Sequence, residues 1–395
     1  MVHLYGMTWG HRRAIEPLAA LDHAFRKERP DVTIEWRVRP LSGFEFDPLD
    51  RLAEENDLII YDHPFCGLID ETECLLSVAD VVSETGGPAA YIGPSTETYR
   101  LGKGEWAVPV DAACQVAAYR PDLLAGLKRP VPRTWDDVCN LGEHATKHGM
   151  SVAIGLHGVH SLMTFFSLCA NLGSPYATDE CGPDPATPAA REALTQMRRL
   201  VGLCRAPVLD WNSIRIQDAL AESDDLVYCP AVYGFAAYGE ADCRNRLAFG
   251  PFPGLNHAES DAGSTIGGAG LGVSSRVVND PERCKAALAY ARLAAASATQ
   301  TTIFPRHHGQ PAHVDAWSDA GVDAAFNGFF SDTRGTIERS WIRPRYNGYL
   351  RFQAEAGDMI EAHLRGDLAE ANLLELLKVL DANCRDGGAD DDGGL

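Results

Sequence analysis

The chain has 395 residues, 45% of them hydrophobic and 23% charged. That is enough apolar material for a sizeable core and more length than one small domain needs, so two lobes are expected. Its formal net charge of −20 repels phosphate backbones and finds no attraction at an anionic bilayer, which excludes nucleic acid as a partner; the excess acid serves solubility.

The run Val2 to Met7 ends at Thr8-Trp9-Gly10 and reads as a first strand delivering a loop. Ile15, Leu18, Leu21, Ala24 and Phe25 then recur at helical spacing, and the helix stops before Arg29-Pro30. Residues 32–38 alternate as a half-buried strand does, 48–55 form a short helix, and Asp57-Leu58-Ile59-Ile60-Tyr61 is a buried strand ending in Asp62-His63-Pro64. This β-α-β-α-β order predicts a parallel sheet, and such sheets bind ligands beyond the carboxyl ends of their strands. Thr8-Trp9 and Asp62-His63 sit at two such ends.

Residues 104–111 and 116–124 read as one long extended segment leaving the first lobe and entering a second. Thr134 caps the next helix, with Asp137 at capping-box spacing. Helices are expected at 189–203, 213–221, 281–296 and 368–383, and strands at 225–230 and 266–274. Residues 247–254 and 308–312 read as further crossings between lobes. The Gly/Asp-rich tail 386–395 has almost nothing to bury and is expected to be disordered.

Met1 to Met7 lacks the basic start and apolar run of a secretory signal, and no stretch of roughly 18 apolar residues is present to span a membrane. The eleven cysteines are odd in number, scattered and without a CxxC pair; Cys139, Cys169, Cys204 and Cys229 read as small buried hydrophobes. This usage suits a reducing compartment. A cytoplasmic location is therefore favoured, and a periplasmic or cell-surface one follows if a leader has been trimmed away. No HExxH or comparable spacing gathers metal ligands, so neither metal nor cofactor is expected. The glycine series 267–272 lies far from the N-terminal β-α-β and is not read as a dinucleotide loop. GxSxG and P-loop signatures are absent from the sequence.

Several segments, in order, resemble the family 1 extracellular solute-binding proteins of ABC transporters, the group that includes maltodextrin-binding proteins. They are Ala107-Val108-Pro109-Val110-Asp111 with Ala118-Tyr119-Arg120-Pro121-Asp122-Leu123-Leu124, similar to that family's hinge segment, and Pro132-Arg133-Thr134-Trp135-Asp136-Asp137, similar to a helix start. Asp218-Ala219-Leu220 through Tyr233-Gly234-Phe235, Phe249-Gly250-Pro251-Phe252-Pro253, Gly267 through Ser274, and Arg343-Pro344-Arg345-Tyr346 follow. The resemblance spans nearly the whole chain. It departs from the family in the missing signal, the cysteine content, and Glu222-Ser223-Asp224 where the family has a glycine turn.

The resemblance implies a type II periplasmic-binding-protein fold, with two discontinuous α/β lobes joined by a multi-strand hinge. Lobe one would comprise 1–110 plus 254–308, and lobe two 112–250 plus 312–385. It implies a monomer that closes around a small polar, sugar-like ligand and serves an ABC permease. Sugar-like ligands need flat rings under their C–H faces and charged hydrogen-bonding groups for their hydroxyls. The candidate ligand residues are Thr8, Trp9, Asp62, His63, Asp111, Tyr233, Gly267, Gly268, Arg345 and Tyr346. Core packing competes for Trp9 and Tyr233, helix capping for Asp62, structural hydrogen bonding for Asp111, a strand bulge for Gly267-Gly268, and a solvated charge and packed ring for Arg345 and Tyr346. The alternative is a cytosolic enzyme or sensor on the same fold, a lyase, isomerase or hydrolase, with His63, Asp62 and His157 as candidate acid/base groups and His11 and His307 in reach of one cleft.

Overall fold

The computed structural model describes residues 1–40, 43–44, 47–255 and 263–387. In chain order the main elements are β1 (Val2–Trp9), α1 (Arg12–Glu28), β2 (Val32–Arg39), α2 (Leu49–Glu55), β3 (Leu58–Tyr61), α3 (Cys66–Thr72) and β4 (Val108–Tyr119). They continue with α4 (Trp135–Lys147), β5 (Ser151–Val152), α5 (Val159–Asn171), α6 (Pro188–Val201), α7 (Ser213–Glu222), β6 (Leu226–Tyr233) and β7 (Ala248–Gly250). Then come β8 (Ile266–Val273), α8 (Pro281–Ala295), α9 (Tyr349–Arg365) and α10 (Glu370–Asp386). None of the described helices is long and apolar enough to cross a membrane.

The chain divides into two compact units. The first holds residues 1–113, 267–322 and 345–350; the second holds 114–266, 323–344 and 351–395. Within the first, the strand order is β2-β1-β3-β8-β4. β1 runs parallel to β2 and to β3, and β8 is antiparallel to β3 with Gly270 opposite Tyr61. α1 buries Leu18, Leu21 and Phe25 as the spacing predicts, joined by Ala14 and Pro17, whereas Ile15, expected on that face, is exposed. Under α2 and α3 lies an apolar cluster of Leu49, Ile59, Tyr61, Phe65, Ile69 and Tyr99. Each such side chain, taken from water, contributes roughly 1.5–3 kcal/mol.

Within the second unit, β4 pairs antiparallel with β6, Tyr119 opposite Tyr228, and with β7, Ala118 opposite Phe249, while β5 is parallel to β6. α4 opens with a complete capping box: Thr134 accepts from the Asp137 amide, and the Asp137 carboxylate accepts from the Thr134 amide. A buried polar network knits α5 to β4. Gln115 Nε2 donates to Thr164 Oγ1 at 3.1 Å, and Ser167 Oγ donates to Gln115 Oε1 at 2.7 Å.

Three boundaries differ from the sequence expectation. The crossing assigned to 247–254 is not one: β7 and Gly254 stay in the second unit, where the Gly254 carbonyl accepts from Trp135 N at 2.8 Å, and the change of unit falls at Ile266/Gly267, inside β8. Residues 312–322 remain with the first unit, because Ile92 N donates to the Ala312 carbonyl at 2.9 Å and Tyr91 bridges His313. Residues 345–350 also belong to the first unit. Of the tail expected to be disordered, Asp386 is still helical; 388–395 lie outside the described residues.

Candidate functional site

Two parallel strands finish side by side in the first unit. Trp9 is the last residue of β1, and Asp62 follows the last residue of β3. The register Gly6 to Leu58 and Met7 to Ile59 brings their carboxyl ends to one edge, where the loops of an α/β sheet take ligands. A pocket opens there, with about 350 Å³ of free space that includes open solvent, lined among others by Trp9, Arg13, Leu18, Val110, Asp111 and Gln310.

Trp9 is only 6% exposed. The imidazole of His11 stacks on its indole, centroids 5.3 Å apart at 13°, and Phe44 tilts against it at 5.6 Å. The indole is thus part of the pocket wall with a neighbour on its face, rather than an open platform. The His11 ring is itself fixed: Nδ1 accepts from the Arg13 amide at 3.1 Å and caps α1. Burial, and then the positive charges of Arg13 and Arg12, push His11 down to about 4, so the imidazole is neutral near pH 7. Thr8 is buried, and its Oγ1 has no hydrogen-bond partner among the described residues.

The charged heart of the pocket is an ion pair. Arg13, on the first turn of α1, places Nε 2.6 Å from Asp111 Oδ2 and Nη2 2.5 Å from Oδ1, a two-point contact. Both side chains are largely withdrawn from water. Burial pushes the Asp111 carboxyl up, Arg13 pulls it back, and the nearby Asp62 charge adds to the rise. Asp62 caps the turn after β3, its Oδ1 accepting from the His63 amide at 2.8 Å, and the same oxygen lies 3.0 Å from His63 Nδ1. His63 is buried and meets Tyr99 edge-on at 6.4 Å. Asp62 thus caps a helical turn, and its charge acts on the pocket's Asp111 carboxyl.

The other candidates are placed elsewhere. Gly268 has φ +115, and a Cβ there would run into the Asp111 carbonyl oxygen. Its bareness serves the approach of β8 to β4; Gly267 precedes it on the same strand. Arg345 does not reach out from the second lobe. It lies in the first unit, with Nη1 donating to the carbonyls of Glu97 (2.7 Å), Thr98 (3.1 Å) and Arg100 (2.9 Å). Tyr346 packs edge-on against Tyr349 at 5.7 Å. A Cβ on Gly67 of α3 would lie 2.5 Å from Asn347 N and still closer to the Arg345 carbonyl oxygen. Gly67→Ala is therefore expected to lower stability by about 1–3 kcal/mol and to loosen segment 345–350, read as faster proteolysis there; unchanged stability and cleavage would refute the packing role.

In the second unit, Tyr233 ends β6 and its hydroxyl donates to Thr265 Oγ1 at 3.0 Å, joining the Gln115–Ser167 network. His157 is exposed, with Nδ1 3.2 Å from Glu361 Oε2 on α9. His160 is buried on α5, and burial pushes it down to about 4. His307 is exposed. Among the described residues, no three His, Cys, Asp or Glu side chains are grouped to hold a metal ion. Sequence reasoning missed Arg13 as a pocket residue and His11 as the partner of Trp9. The available signal was position, since His11-Arg12-Arg13 directly follows a nominated strand end.

No protein-family model matches the sequence, and no curated protein matches it. Solved structures do match over the full length. Maltose-bound MalE3 of T. maritima superposes with a TM-score of 0.83 at 17% identity, covering 97% of this chain and 100% of that one. An ABC transporter solute-binding protein of Agrobacterium vitis S4, with bound D-mannitol, gives 0.78 at 12% identity, covering 99% and 100%. One from Agrobacterium radiobacter K84, in complex with ribitol, gives 0.77 at 15% identity, covering 98% of each chain. The chain has the α/β fold of these solute-binding proteins.

Proposed function

We propose that this protein is a solute-binding protein that closes by hinge motion around a small neutral carbohydrate or polyol, as a monomer, and presents it to an ABC-type permease. The observation that carries the reading is the pocket at the carboxyl ends of β1 and β3, where an aromatic wall of Trp9 meets the Arg13–Asp111 pair. An apolar wall suits sugar C–H faces, and charged groups bind hydroxyls at about 1.5–3 kcal/mol each. The fold adds support, since its solved neighbours include proteins with maltose, ribitol and mannitol bound.

Calorimetry against maltose, D-mannitol, ribitol and related compounds tests it. Binding at micromolar or tighter Kd is expected, with the ligand recovered unchanged. Trp9→Ala should weaken it by at least about tenfold through loss of the aromatic wall. Silence across the whole panel would sink the reading. The second reading, an enzyme on the same fold, draws on the 3.0 Å contact of Asp62 with His63. Conversion of a bound ligand favours it; a His63→Ala variant that changes affinity alone, with no product formed by either protein, removes it.

A further inference from the structure

We infer that Arg13 is a positioning residue, whose two-point grip fixes the Asp111 carboxylate in the pocket as the acceptor for a ligand hydroxyl. The inference rests on the ligand-binding reading above and adds a residue to it.

Three observations combine. Arg13 and Asp111 line the same pocket. Each Asp111 oxygen receives one guanidinium N–H, at 2.6 Å and 2.5 Å. A carboxylate has about four lone-pair sites, so the grip leaves two for a ligand. The backbone beneath is pinned as well: Ala112 N donates to the Gln310 carbonyl at 3.1 Å, Gln310 Nε2 donates back to the Ala112 carbonyl at 2.8 Å, and Gly268 abuts Asp111 from β8. With strand and guanidinium both set, the acid has one orientation.

The electrostatics give the grip a second effect. Of the groups around Asp111, Arg13 comes from α1 and Asp62 from the turn after β3. β8 supplies the uncharged Gly268 and Ala269, and the 309–310 segment supplies neutral Gln310. Arg13 is thus the counter-ion that opposes both burial and Asp62. Without it, a buried carboxyl beside another acid takes up a proton more readily, and a protonated acid is a poorer acceptor for a hydroxyl.

The test uses the full chain with maltose, D-mannitol and ribitol as probes, and runs calorimetry and carboxyl-carbon NMR together across pH. Asp111→Asn identifies the Asp111 signal by its absence. In Arg13→Met the Asp111 titration midpoint should move upward, and affinity should fall about tenfold for each pH unit below that midpoint. Arg13→Lys keeps the charge and loses the fork, so it should weaken binding with the wild-type pH profile retained. It also serves if the methionine variant fails to fold. Asp111→Asn should bind weakly with no such pH dependence. The inference is overturned if Arg13→Met leaves the midpoint in place, if its affinity parallels wild type at every pH, or if Asp111→Asn binds as wild type does. If no probe binds wild type, the ligand reading fails on calorimetry, while the NMR midpoint still decides whether Arg13 controls Asp111.

Discussion

Gly268→Ala is expected to be among the most damaging single-methyl substitutions in the chain, at a cost on the order of 3–5 kcal/mol. Two penalties add. The backbone at φ +115 is disfavoured for any side chain, and the new Cβ would collide with the Asp111 carbonyl oxygen and sit 3.0 Å from Ala112 Cα. Those atoms are main chain of β4 and cannot rotate aside. β4 and β8 would have to part within the first unit. Urea denaturation measures the loss. Gly87→Ala is the matched control, since Gly87 has φ +71 but nothing within 4 Å of where its methyl would stand. That variant should show the backbone penalty alone, about 1–3 kcal/mol. Equal midpoints for the two variants would mean that the strands relax freely and that contact at Gly268 is unimportant.

Asp22→Asn is expected to act in the other direction and to stabilise the protein above neutral pH. Asp22 Oδ1 accepts from both the Tyr290 hydroxyl, at 2.7 Å, and Trp36 Nε1, at 3.3 Å. Burial pushes this carboxyl from 3.8 up to about 6, against the pull of those two hydrogen bonds and of Arg26. The folded state therefore holds the proton more tightly than the unfolded chain does. Its contribution is greatest below the unfolded value of 3.8 and is lost as pH rises through about 6. The shift corresponds to a penalty on the order of 2–3 kcal/mol above that pH. An amide oxygen keeps both hydrogen bonds and carries no charge. Thermal unfolding should place Asp22→Asn above wild type near pH 8, with the advantage fading toward pH 4. A constant offset at every pH would show that ionisation of Asp22 is not its source.

Periodicity carried the first unit far. Apolar spacing in 15–25 and alternation in 32–38 marked α1 and β2, and the parallel order of β2, β1 and β3 followed from the β-α-β-α-β pattern. The edge that carries the pocket was legible for the same reason, since a parallel strand announces its own carboxyl end. The unit boundaries were less so. A Pro/Gly cluster at 251–254 looks like a crossing, yet the passage occurs in β8 between Ile266 and Gly267, where no break in composition marks it. Arg13 and Asp111 are 98 positions apart, and nothing local couples an arginine on a helix's first turn to an acid in a distant strand. Arg345 shows the converse. Its motif pointed to a ligand, whereas three backbone carbonyls of 97–100 already engage it.

The interleaving of the two units bears on how the chain matures during synthesis. The first unit lacks the strand between β3 and β4 until residues 267–273 have been made, and the second still awaits α10 at 370–386. A ribosome therefore completes neither sheet-and-helix body before residue 267 has been made. The pairings that finish the first body span long separations, such as Ile60 with Leu271, and closing such loops is slow relative to local structure. The nascent protein consequently carries an uncovered edge of β3 until β8 has been made, and the second body is completed only once α10 follows.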